Sequence, residues 1–141
     1  MKVNQLSVFI ENQPGKLFNV TKILEKADIN IRALSLAETA NYGILRMIVS
    51  DTNRVFEILE KENFSVNITE IIAVQVEDRP GGLAHILNLF EENGINIEYM
   101  YAFIEKKDAN AVMLFRIDNI DNAIGVLQQN KIPLHTADEL A

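Results

Sequence analysis

The chain has no cysteine, only three prolines and two histidines, and too few cations to balance its acids. Without cysteine there is no disulfide framework, no thiolate metal site and no thiol nucleophile. That composition is compatible with a reducing cytoplasm, and a cytoplasmic protein is expected. Lys and Arg number 13 against 20 Asp and Glu, a formal net charge of −7. A nucleic-acid footprint is basic, so the charge argues against that class of partner. No apolar run approaches the ~18 residues a membrane span needs. The opening "MKVNQLSVFIENQPG" also lacks the apolar core of a signal peptide, so no membrane association is expected. A length of 141 residues allows one domain or two small ones, and a core that needs no covalent staple.

What is present is a repeat. "NQPGKL" at Asn12–Leu17 returns as "DRPGGL" at Asp78–Leu83, an offset of 66 residues that also carries Leu17 onto Leu83, Glu25 onto Glu91 and the "INI" at Ile29 onto the "INI" at Ile95. One unit is written twice. Each copy opens with an alternating run: Leu6, Val8 and Ile10 in one, Ile72, Val74 and Val76 in the other, the period of a strand with one face on a core. After each Pro-Gly the period changes. Leu17, Val20, Leu24 and Ala27, then Leu83, Ile86 and Phe90, mark amphipathic helices, with the proline placed in the first helical turn. Gly94 fits the left-handed residue that ends a helix, and Asp28 is its tolerable substitute.

Second strands follow at "NIRALSLAE" and "NIEYMYAFIE", apolar on both faces, which predicts that something covers their outer face or edge. Turns at "TANYG" and "KKDAN" lead into third strands, "ILRMIVSD" and "AVMLFRID". Asp51 and Asp118 stand where N-caps are wanted before the second helices, and "FSVNITE" and "KIPLHT" read as closing strands. Each unit is thus strand, helix, strand, strand, helix, strand. The predicted fold is α+β: two tandem ferredoxin-like units, 1–70 and 71–141, each an antiparallel four-stranded sheet with two helices on one face. The junction "FSVNITEIIAVQVED" holds no Pro or Gly, so the units are expected to pack as a rigid pair.

Catalytic readings find little. His85 and His135 have no ligand cluster at metal spacing and read as surface or rim residues. Ser7, Ser35, Ser50 and Ser65 have no nucleophile elbow, and the pairs Glu91–Glu92 and Glu60–Glu62 read as solvated helix faces. Phe9 and Phe115 are the best stacking candidates for an RNA-binding reading of the same topology, but they sit in an acidic chain. No enzyme, metal or cofactor is expected. The Pro-Gly turns remain. A helix start presents unpaired N–H groups and the positive end of the dipole, where a carboxylate can dock. Asn12 and Asp78, directly upstream, offer oxygens to an ammonium group. Local helix capping by the same two side chains is the competing reading.

The strand, then "ENQPGKL" or "EDRPGGL", then a helix ending in "DINI" or "GINI", resembles the ACT domain signature, twice, over nearly the whole chain. The resemblance implies a regulatory module that binds a free amino acid at an interface between ACT units. It places the site at Asn12, Gln13, Pro14, Gly15, Lys16, Leu17 and Asn30. The second copy is Asp78, Arg79, Pro80, Gly81, Gly82, Leu83 and Asn96. The doubly apolar second strands predict self-association into a homodimer, and the resemblance implies a separate enzyme of amino-acid biosynthesis as the regulated partner. Lys16 stands where the second copy has Gly82, so the first loop is expected to be the more crowded. The first unit is also similar to the start of the small regulatory subunit of acetolactate synthase, through "LSVFIENQPGKLFNVTKIL", which offers an obligate regulatory subunit as the alternative.

Overall fold

The computed structural model describes residues 1–103 and 110–140. Two compact units divide it, Asn4–Thr69 and Glu70–Leu140, with Met1–Val3 grouped with the second. In the second unit Lys2 pairs with Asp121 at 3.1 Å and Met1 Sδ accepts from Gln128 Nε2 at 3.2 Å.

The first unit contains β1 (Val3–Glu11), α1 (Lys16–Lys26), β2 (Ile31–Glu38), β3 (Tyr42–Val49), α2 (Thr52–Lys61) and the start of β4 (Ser65–Glu77). Its strands lie in the order β2-β3-β1-β4, with β3 antiparallel to both neighbours. Val20 and Leu24 of α1 and Val55 and Leu59 of α2 pack with Leu6, Val8, Ile10, Leu45 and Met47 in one core. Alternation in the strands and three- to four-residue spacing in the helices converge on that single layer, which is why the pattern fixes the fold.

The second unit continues with α3 (Gly82–Glu92), β5 (Ile97–Ala102), β6 (Asn110–Ile117), α4 (Ile120–Gln129), β7 (Leu134–His135) and α5 (Ala137–Leu140). Its order is β5-β6-β4, with β7 on the other side of β4. Phe115 is fully buried there, edge-on to Phe90 at 5.4 Å and 87°, so it is a core residue and offers no stacking surface. Both units are ferredoxin-like, as the repeat predicts.

Four helices end alike. Asp28, Asn63, Gly94 and Lys131 all have positive φ, between 57° and 67°. The next residue then bonds back into the last turn: Ile29 N–H to Leu24, Phe64 to Leu59, Ile95 to Phe90 and Ile132 to Leu127, at 2.9–3.0 Å. These are Schellman closures, and the apolar residue after each one packs on the core.

Several local expectations are corrected. Pro14 and Pro80 precede their helices, because Gly15 and Gly81 are the N-caps. The closing strand of one unit and the opening strand of the next are a single 13-residue strand, β4, since nothing in the junction interrupts the extended backbone. The last closing strand is only two residues long, and α5 follows at once, started by a capping box in which Thr136 Oγ1 accepts from Glu139 N–H and Glu139 accepts from Thr136 N–H. Asp51 caps α2 as expected, through Arg54 N–H, but α4 is capped by Asn119 and not Asp118. The Asp118 carboxyl is engaged with Glu98 instead. The turn expected at "KKDAN" and the tail of the strand before it fall mostly on 104–109, outside the described residues.

Candidate functional site

Each Pro-Gly builds the same turn. Lys16 N–H bonds Gln13 C=O at 3.3 Å, and Gly82 N–H bonds Arg79 C=O at 3.0 Å. Proline at the second turn position and a glycine at φ 87° or 86° at the third describe a type II turn. The first intrahelical bonds then run from Asn19 to Gly15 and from His85 to Gly81. The N-caps of α1 and α3 are glycines, so neither helix is capped by the side chain of its own N-cap residue. The N–H groups of Leu17 and Phe18, and of Leu83 and Ala84, stand at the second and third helical positions, which have no intrahelical acceptor.

In the first unit this turn walls a cavity of about 230 Å³. Its floor follows from register: Glu38 lies opposite Gly43, and Gly43 opposite Ile10, in one row across β2, β3 and β1. Leu36, one row on, lies opposite the buried Leu45 and is half exposed itself. Asn12, Gln13 and Leu17 close the other side. Asn12 Nδ2 donates to Glu38 Oε1 at 2.8 Å, tying the turn to the end of β2.

The remaining expected residues are placed differently. Pro14 and Gly15 shape the turn. Lys16 faces a separate depression with Asn19, Tyr42 and Glu62. Asn30 precedes β2, at the end away from Glu38, roughly 23 Å along the strand. There it lines an open depression with Thr21, Glu25 and Asp28. In the second unit Arg79 and Gly82 line a cavity of about 130 Å³ with His85 and Lys131, while Arg79 Nε is bonded to Glu77. Leu83 packs partly on the core, and Asn96 is exposed before β5. Gly82 does not leave its loop open. A Cβ there would overlap the Glu77 carbonyl oxygen, so the backbone already fills the space.

Glu38, Leu36, Gly43 and Ile10 were not anticipated as site residues. They come together through strand pairing: a register shift between Ile31 and Ala33 sets Leu34, Leu36 and Glu38 on the helix-bearing face. His135 is a further correction, since it is buried where a rim residue was expected. Its Nδ1 lies 2.9 Å from Glu139 Oε2, and its buried Nε2 has no partner. That bond, with the Thr136 bonds second, holds the Glu139 carboxyl below its ordinary value. Among the described residues no cluster fit to hold a metal occurs, and no helix is long and apolar enough to cross a membrane.

Two ferredoxin-like units, each with a type II Pro-Gly turn at the start of its first helix, define a tandem pair of one α+β module. The ACT domain pair family matches residues 1–141, and the chain belongs to it. Its structure is similar to that of protein BT0572 from Bacteroides thetaiotaomicron, at 40% identity and TM-score 0.93, covering 99% of this chain and 96% of that one. The fold is shared with the regulatory subunit of aspartate kinase from Thermus thermophilus, at 16% identity and TM-score 0.64, over 89% of this chain and 91% of that one. The corresponding subunit from Thermus flavus matches at 14% identity and TM-score 0.61, over 89% and 90%. A search of curated proteins returns no match.

Proposed function

We propose that this ACT domain pair is a regulatory sensor that binds a free α-amino acid at its Pro-Gly turns and transmits occupancy to a separate enzyme of amino-acid metabolism. The observation that carries the reading is the cavity bounded by Asn12, Gln13, Leu17 and Glu38. It sets acceptor oxygens beside a helix start, matching the two polar ends of an amino acid. The loop Asp78–Leu83 is the second copy, with Asp78 as ammonium acceptor. Asn30 and Asn96 serve a site only when a neighbouring unit supplies them. Self-association into a homodimer accompanies this reading and is supported by the exposed Phe18, Leu34, Leu36 and Tyr42. The Pro-Gly turn is repeated in the second unit, and that repeat supports the sensor reading over the acetolactate synthase alternative.

The test is a thermal-shift screen of the free amino acids on the purified chain. Binding to the folded state raises Tm by mass action, and one amino acid at millimolar concentration is expected to do so. If none does, the reading fails. With that ligand in hand, Asp78→Asn removes one charged hydrogen bond and is expected to weaken binding at the second loop roughly tenfold to a hundredfold.

A further inference from the structure

The cavity in the first unit has two chemically distinct sides. Ile10, Leu17 and Leu36 present only carbon, and Gly43 adds no side chain between them. A Cβ at Gly43 would stand 3.1 Å from Leu36 Cδ1 and 3.3 Å from Ile10 Cγ1, so these two side chains already lean over the glycine to make a continuous apolar floor. The second unit has Ala111 in that place, opposite Val76, so the two copies do not offer the same floor. On the other side stands Glu38, exposed, bonded to the Asn12 amide and paired with no described cation. An anionic acceptor at the rim of an apolar floor discriminates by charge at one end of a ligand and by carbon content at the other.

We propose that the first unit selects an amino acid with an apolar, branched side chain, with Glu38 receiving its ammonium group and Ile10, Leu17 and Leu36 enclosing its side chain. The inference rests on the sensor reading and names the ligand class. Asn12 orients the Glu38 carboxylate, and the ammonium takes the remaining lone pairs of the same group. A cationic or carboxylate side chain would be desolvated against the floor without a partner and is rejected for that reason.

The experiment is calorimetric titration of the full chain with leucine, isoleucine, valine, alanine, lysine and aspartate, and with 4-methylpentanoate, which is leucine without its ammonium. Leucine, isoleucine or valine is expected to bind at least tenfold more tightly than alanine, lysine or aspartate, and 4-methylpentanoate not measurably. Glu38→Gln keeps the acceptor for Asn12 but removes the charge, and is expected to weaken the first-unit event roughly tenfold to a hundredfold. Glu38 is exposed, so the variant is expected to fold, and an unchanged melting curve without ligand checks that. Tight binding of lysine or aspartate in place of the apolar set overturns the inference and leaves the sensor reading standing. Binding of leucine that is indifferent to Glu38→Gln overturns the assignment of the site. Silence with every amino acid overturns both.

Discussion

Gly15 and Gly81 hold the same backbone angle, φ 87° and 86°, yet the residues after them are not interchangeable. Lys16 carries a side chain where the turn bond is stretched to 3.3 Å, whereas Gly82 sits in a turn closed at 3.0 Å with the Glu77 carbonyl against its α-carbon. Gly82→Ala is therefore expected to cost about 1–3 kcal/mol, the range for overpacking, while Lys16→Ala stays within about 0.5 kcal/mol. Equal denaturation midpoints for the two variants would show that the tight approach at Gly82 is unimportant. Protonation gives a second test. Glu139 is held low by His135 and Thr136, so its contribution is present above its ordinary 4.5 and is lost as pH falls through the lower folded-state value. Melting curves of the parent and Glu139→Gln should differ by a constant amount at neutral pH and converge in acid. A gap that widens as pH falls would reverse the sign. Glu98 behaves oppositely: its hydrogen bond to Asp118 raises it, so its contribution is present in acid and fades as pH rises.

Elements read well from this sequence where period and punctuation agree. Helix starts after Pro-Gly, the N-cap at Asp51 and the left-handed stops at Asp28 and Gly94 are all visible as residue types with a backbone reason. Asn63 and Lys131 close their helices in the same way, but lysine gives no such sign, because core packing of Ile132 forces the conformation. Lysine in the left-handed region costs about 1 kcal/mol, so Lys131→Gly is expected to raise Tm by a few degrees despite the added freedom of the unfolded chain. A lower Tm would mean that Lys131 makes a compensating contact. The site was half legible. The turn is local and therefore visible, as are Asn12, Gln13 and Leu17. Glu38, Leu36 and Gly43 come from strand pairing and a register shift within β2, which no local pattern records. The reading of Gly82 as an open position failed because absence of a side chain says nothing of what backbone moves into its place.

At the scale of the molecule, β2 leaves Leu34 and Leu36 exposed by 41% and 50% on its core-facing side, and Phe18 of α1 is exposed by 65%. An edge strand with exposed apolar side chains favours pairing with another copy. Sedimentation at micromolar concentration is expected to give a species about twice 15.9 kDa, and Leu34→Glu to shift it toward the single chain. A clean single chain in the parent would remove the dimer from the account. The central claim is that the chain recognises a free amino acid, and calorimetric titration of the intact protein with each amino acid tests it most directly. Saturable binding of at least one amino acid, weakened roughly tenfold or more by Glu38→Gln or Asp78→Asn, is the predicted result. Flat titrations for every amino acid at millimolar concentration, with a folded protein in the cell, would contradict it.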